Sequence, residues 1–370
     1  MHRWRKLMVI SVFLFSFFPS DVFPFTQNQE ILDIYFLDAG QGDSSLIVSE
    51  NGDEAMLIDG GRRESGEKLV QTLKRKGITT LDWVVATHPD IDHIGGLLEV
   101  LRKMEVKNVL DSGKTHTTNT YKEYRNIIEE KNIDFHIAEE GEELETDLAE
   151  VKILNGYSDS EIRNSSSIVL HFTYGRSTAL FTGDATVETE MEMMEEYEVD
   201  ADVLKVAHHG SATSSSPAFI QAVEPEAAVL PFDRDNSFGH PNAAVVTRLR
   251  RAGAVLYSTE DRRIHVEMTK KDWSTNKKPW DGKGKTYPAA SPKKDSQVEW
   301  PEAPVPLNTA ASQELQTLPD IGPLVASNII EYRRTHGPIQ ALDDLLEVDG
   351  IGQAALKKIE PFIIIDEGRS

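Results

Sequence analysis

The chain contains no cysteine. That excludes disulfides, thiolate metal sites, a cysteine nucleophile and a lipid-anchoring thiol. Any bound metal must be held by imidazole and carboxylate. Long apolar runs are also lacking. None follows Phe18, so nothing beyond it reads as a membrane channel. Basic charge is scarce: 39 Lys and Arg stand against 61 acids, a formal net charge of −22. Nucleic-acid binding ordinarily draws on clustered Lys and Arg, so this balance argues for a solvated acidic surface. Much of the acid lies in two runs, Glu139–Glu150 and Glu188–Asp202. Metal ions and local loops can still serve a phosphate substrate.

What is present divides the chain. His2-Arg3-Trp4-Arg5-Lys6 is a basic start, and Leu7–Phe18 is an apolar stretch too short for a confident membrane span. Residues 1–25 therefore read as a signal peptide or N-terminal anchor, which places the rest outside the cell or on its surface. From Ile31, short β-rich runs alternate with helical patterns, as expected of an α/β domain over 30–270. Strands are expected at Ile31–Leu37, Ala55–Ile58, Asp82–Thr87, Thr178–Phe181 and Val203–Val206, among others. Helices are expected at Gly66–Lys76, Ile94–Met104, Thr186–Tyr197, Pro217–Val223 and Asn242–Arg251. Lys270–Pro306 turns to Lys, Pro, Ser and Trp without apolar period, and 271–306 reads as a linker. Helical spacing returns over 307–366, broken twice by glycine turns.

The sharpest chemical feature is Thr87-His88-Pro89-Asp90-Ile91-Asp92-His93-Ile94-Gly95-Gly96. Four potential ligands fall within six residues, on a loop between an expected strand and helix. Such a loop can bring them into one small volume, and Gly95-Gly96 lets the helix start close by. Asp184 ends the apolar run Ala179–Phe181, and His208-His209 ends Val203–Val206. Polar groups at the ends of buried strands collect at one rim of a sheet.

Together these segments resemble the metallo-β-lactamase superfamily: its HxHxDH loop, its bridging Asp and its final His. Within it the likeness is to the hydrolase domain of the competence protein ComEC. Leu37-Asp38-Ala39-Gly40-Gln41-Gly42-Asp43-Ser44, Asn164–Leu170 and Phe238-Gly239-His240-Pro241 carry that likeness further. The resemblance implies a four-layer αββα fold holding one or two divalent ions. His88 and Asp90 would hold the first and Asp92 and His93 the second. Asp184 would bridge them, and His208 would close the second site. Asp90 stands where most of the superfamily has His, and the middle His has no evident counterpart. An oxygen-richer first site brings Mn2+ alongside Zn2+. The chemistry implied is attack by a metal-bound hydroxide, with Asp92 orienting it and His209, Ser211 or His240 donating to the phosphoryl oxygens or leaving group.

Leu318–Pro323 and Val348–Gln353 are two hairpins about 30 residues apart, each opening a helical pattern. The segment 307–366 resembles the helix-hairpin-helix DNA-binding domain of the competence receptor ComEA, a small all-α fold. The likeness implies non-sequence-specific phosphate contact through Gly322, Gly350, Ile351 and Gly352, with Lys357 and Lys358. The segment is acidic, and Asp320 replaces the usual glycine, so a protein-binding role competes. The combined expectation is an exported metal-dependent nuclease that acts on DNA, linked to competence or extracellular DNA processing. Competence or cell-surface proteins would be its further partners. The rivals are a hydrolase of small substrates (lactone, thioester, β-lactam or phosphodiester) and a non-enzymatic DNA-binding adaptor.

Overall fold

The computed structural model describes residues 30–158, 163–236, 238–260, 262–285, 304–318, 321–348, 351, 356 and 359–366. The expected signal or anchor lies outside them, as do Gly350, Gly352, Lys357 and Lys358.

Six strands open the chain: β1 (Ile31–Phe36), β2 (Ser45–Ser49), β3 (Ala55–Ile58), β4 (Thr80–Ala86), β5 (Glu105–Asp111) and β6 (Asp134–Ile137). Seven follow: β7 (Glu143–Leu144), β8 (Glu150–Asn155), β9 (Val169–Tyr174), β10 (Ser177–Phe181), β11 (Val203–Lys205), β12 (Ala227–Leu230) and β13 (Val255–Ser258). Then β14 (Ile264–Thr269) and β15 (Trp273–Ser274) return to pair beside β1. The first sheet has the order β15-β14-β1-β2-β3-β4-β5-β6 and the second β13-β12-β11-β10-β9-β8-β7.

Each sheet changes character along its width. Hairpins make it antiparallel on one side, and helical crossovers make it parallel on the other. In the first sheet, α1 (Gly66–Arg75) links β3 to β4; α2 (Ile91–Ile94) and α3 (Leu97–Lys103) link β4 to β5; α4 (Asn119–Glu130) links β5 to β6. In the second, α5 (Val187–Glu196), α6 (Pro217–Val223) and α7 (Ala243–Arg251) join β10 to β13 in the same way. Strands covered on both faces are apolar throughout, as in β3 and β12.

Three cores make four layers. Phe36, Met56, Phe172, Phe181 and Val266 fill the space between the sheets. Leu57, Leu73, Val84, Leu98 and Tyr124 lie under α1, α3 and α4. Leu180, Leu204, Phe219, Val245 and Leu249 lie under α5, α6 and α7. This is the αββα arrangement. It sets the carboxyl ends of the parallel strands of both sheets at one rim, where ligands bind in open α/β sheets.

Several elements differ from expectation. The single helix over Ile94–Met104 is two pieces, α2 and α3, separated at Gly95-Gly96. These glycines are required by close approach: a Cβ on Gly96 would lie 2.0 Å from the Gly60 carbonyl oxygen. α4 and β6 are not among the elements expected from the sequence. The helical spacing of Tyr121, Tyr124, Ile127 and Ile128 was there to see, masked by polar neighbours. The first half of the expected linker is not a tether. β15 pairs with β14, Lys285 bridges to Asn242, and Trp280 packs on the second outer core.

The C-terminal segment has its own core, with Leu307, Leu315, Ile329, Ile330, Leu345 and Ile359 buried. Its helices include α8 (Ser312–Leu315) and α9 (Pro323–His336), followed by a 3-10 turn at Leu342–Glu347. It is not wholly helical: β16 (Val305–Pro306) pairs in parallel with β17 (Ile363–Ile364), joining its two ends. Nor does it stand apart. Val187 of α5 is buried in the same core, Met191 packs against it, and the Ser312 amide donates to Glu188 Oε1 at 3.3 Å.

Asp111 ends β5 in the interior. Gly113 N donates to its Oδ1 at 2.8 Å and the Tyr124 hydroxyl to its Oδ2 at 2.9 Å. Burial nevertheless pushes the carboxyl up, from 3.8 to about 6. Between those values the folded chain holds a proton that the unfolded chain has released. Stability from this group is therefore present at low pH and lost as pH rises through the window. Urea unfolding of wild type and Asp111→Asn should show the wild type losing about 2–3 kcal/mol relative to the variant from pH 4 to 7. A constant difference would contradict this reading.

Candidate metal centre

The site forms where β3, β4, β10 and β11 end together. Asp59, one residue beyond β3, is its first anchor. The Thr87 amide donates to Asp59 Oδ1 at 2.9 Å, and the Thr87 hydroxyl donates to Oδ2 at 2.7 Å. His93 Nδ1 lies 2.8 Å from the same Oδ2. As that nitrogen donates, His93 is fixed with Nε2 facing away, 3.4 Å from Asp184 Oδ1. A carboxylate behind a histidine sets the ring's orientation and tautomer and makes the outward nitrogen a better ligand.

Asp184 is the centre of the group. Its amide donates to Ser167 Oγ at 3.1 Å. Its Oδ2 lies 3.8 Å from His88 Nε2 and 3.6 Å from His208 Nε2. His209 lies beyond, with Nδ1 3.0 Å from the Pro231 carbonyl and 3.1 Å from Asp43 Oδ1. Its Nε2 is 3.5 Å from Asp92 Oδ2. Behind Asp43 stands Lys205, a buried lysine that forms an ion pair with Asp43 Oδ2 and donates to the Gly183 carbonyl at 2.7 Å.

Electrostatics separate these groups. Burial, then the nearby His93, lowers His88 to about 4, so its imidazole is neutral. Burial opposes a charge on His209 too, but Asp43 and Asp184 outweigh it and raise His209 to about 10. His93 is likewise raised, against burial, by Asp184 and Asp59. Burial pushes Asp184 upward, yet His208 and His93 hold it well below the usual carboxylate range. Burial, then His208 and His209, lowers His240 to about 3.

Apart from the ion-paired Asp43 oxygens, four buried atoms on these facing side chains lack any hydrogen-bond partner: Nε2 of His88, His93 and His209, and Oδ1 of Asp184. An unsatisfied buried polar atom costs about 1–3 kcal/mol. Four on facing side chains need a shared partner. Among the sets of donor atoms that lie within 4.8 Å of one another, two gather these orphaned nitrogens: His88, His93 and Asp184; and Asp92, His93 and His209. Imidazole with carboxylate suits Zn2+ or a neighbouring first-row ion. The residues present fit a divalent metal.

Three expected assignments change. His209, not His208, joins Asp92 and His93, and its burial and its tie to Asp43 make it a ligand candidate rather than a donor to substrate. Asp90 belongs to neither donor set; it is the N-cap residue of α2, with no side-chain capping bond, and its carbonyl accepts from the His93 and Ile94 amides at 3.0 Å each. Ser211 is turned toward Thr213, its Oγ 2.9 Å from Thr213 Oγ1. His240 does border the site, with its ring 5.6 Å from that of His208. Asp59, Asp43 and Lys205 were missed. Asp59 carries the signal that marks Asp184, an acid at the end of an apolar strand. Lys205 is a lone charge inside one.

Residues 37–233 match the model of the metallo-beta-lactamase superfamily, and the chain belongs to that family. Residues 301–364 match the helix-hairpin-helix motif. The chain is 30% identical over 258 residues to ComE operon protein 3 of Bacillus subtilis, covering 65% of this chain and 33% of that one. It is 31% identical over 238 residues to competence protein ComA of Neisseria gonorrhoeae, covering 63% and 31%. It thus spans about a third of the length of these relatives. The C-terminal segment is 40% identical over 61 residues to ComE operon protein 1 of B. subtilis, covering 16% of this chain and 30% of that one.

The Asp59 carboxylate supports His93 without belonging to the set around Asp184. Asp59→Asn should lower Zn2+ affinity about 10–100-fold, measured by competition with a chromogenic chelator, with the thermal unfolding transition retained. An affinity equal to wild type would remove Asp59 from the account.

Proposed function

We propose that this chain is a metal-dependent nuclease that hydrolyses DNA phosphodiester bonds, with DNA held non-specifically by the helix-hairpin-helix segment. One observation carries the reading. The segment that matches a helix-hairpin-helix motif is docked on α5, the helix that follows Asp184 of the candidate metal centre. A module that holds DNA there raises its local concentration beside the reacting groups. The likeness of both parts to competence proteins supports a role in DNA uptake or in processing DNA outside the cell. The basic and apolar start of the sequence supports export to the surface or beyond.

A divalent ion at this centre supplies a Lewis acid for the phosphoryl oxygens and lowers the pKa of a bound water. His88, His93 and Asp184 would hold one such ion, and Asp92, His93 and His209 a second, with His208 beside Asp184. Asp92 is positioned to orient the attacking water. Gln41 Nε2, a donor only, lies 3.4 Å from His240 Nδ1. With that amide donating to Nδ1, the proton of neutral His240 would lie on Nε2, available to a phosphoryl or leaving-group oxygen.

Purified protein should degrade DNA with Zn2+ or Mn2+, lose activity in EDTA and lose it with Asp184→Ala. Cutting that survives both EDTA and the substitution would refute the mechanism. DNA binding without cutting would favour an adaptor; neither would favour a small-molecule substrate on the same fold.

A further inference from the structure

Two side chains at the rim of the centre have no part in the reaction as described. Phe238 is 48% exposed, an aromatic ring beside a buried polar site. Its ring stacks on His240, with centroids 5.9 Å apart and planes 25° apart. His240 in turn lies 5.6 Å from His208 and 6.0 Å from His209. Phe238 is therefore two ring spacings from the candidate ligands, about the reach from a phosphate to a neighbouring base. Arg62 approaches the same ring, its guanidinium carbon 5.9 Å from the centroid. Its Nε donates to the Gln41 carbonyl at 3.0 Å. The Arg62 backbone packs against the metal loop, since a Cβ on Gly95 would lie 3.0 Å from the Arg62 carbonyl carbon. Ile91, next in sequence to Asp90 on that loop, is 49% exposed.

We infer that Phe238 and Arg62 form a stacking and phosphate-contacting platform for an unpaired base beside the scissile phosphate, so that the substrate is a single strand. The inference rests on the nuclease reading and specifies its substrate. An aromatic face accepts any base, and an adjacent guanidinium contacts the backbone without reading sequence. A fixed cation beside an exposed ring is a notable placement in a chain of net charge −22. A base paired in a duplex keeps its faces inside the stack and cannot use this platform. A flipped or unpaired base can.

The test uses the full chain with Mn2+ and three substrates: a single strand, its blunt duplex, and the same strand with abasic sites. The intact single strand should be cut at least tenfold faster than the duplex. Phe238→Ala should raise KM for the intact strand about tenfold, the scale of one lost base stack, and Phe238→Trp should restore it. The penalty on the abasic strand should be several-fold smaller. Equal penalties on intact and abasic strands, or an unchanged KM, would overturn the platform while leaving the nuclease intact. If wild type cuts no DNA, the nuclease reading fails instead. The platform then stands or falls on fluorescence quenching of a 2-aminopurine single strand, which Phe238→Ala must abolish.

Discussion

The buried ion pair between Lys205 and Asp43 joins the two sheets at the rim where the chemistry gathers. Asp43 lies on the connection between β1 and β2, and Lys205 ends β11 of the opposite sheet. Each partner then fixes a second group. Asp43 holds His209 through Nδ1, and Lys205 holds the Gly183 carbonyl beside Asp184. Burial pushes the Asp43 carboxyl up, but Lys205 and His209 outweigh it and keep the carboxylate charged. Taking two charges out of water is costly, and an apolar pair of similar shape would often serve stability as well. The pair makes sense as a device for orientation: it places His209 and Asp184 from one sheet against Asp92 and His93 from the other.

Backbone conformation carries part of the same burden. His208 and His209 both have left-handed φ, 50° and 55°, and so does Asp59 at 58°. For residues with a side chain this conformation costs of order 1 kcal/mol or more each, and it persists only where the surroundings enforce it. All three sit at the ends of buried strands, where the surrounding sheet and network can enforce it. The C-terminal segment adds its own constraint by burying Val187 of the helix that follows Asp184. Arg333, one of its few cations, donates to the Leu307 and Ala310 carbonyls. One of its basic side chains is thus committed to folding.

Much of the layer architecture was legible because buried parallel strands are apolar runs and surface helices carry a 3.6-residue period. Ala55–Ile58, Ala227–Leu230 and Pro217–Val223 were read to the residue. The metal loop was legible because four potential ligands in six residues have no common structural explanation. Which histidine of a pair turns inward was not legible. His208 and His209 are adjacent, and their side-chain directions follow from two left-handed residues that no spacing rule anticipates. Asp90 counts among the loop's four potential ligands by spacing and goes to the first ion through the resemblance, and its place as the N-cap residue of α2 is visible only once the helix is seen to start at Ile91. The docked tryptophans of the expected linker were missed because they pack on distant strands, with no local period of their own.

The central claim is that orphaned donor atoms from both sheets share a cation. Anomalous X-ray diffraction at the Zn and Mn absorption edges, on crystals grown with each ion, tests it most directly. The account predicts anomalous density at bonding distance from His93 Nε2 and Asp184, with His88 or His209 completing each position. Density elsewhere, or those nitrogens satisfied by protein or water in metal-soaked crystals, would contradict it.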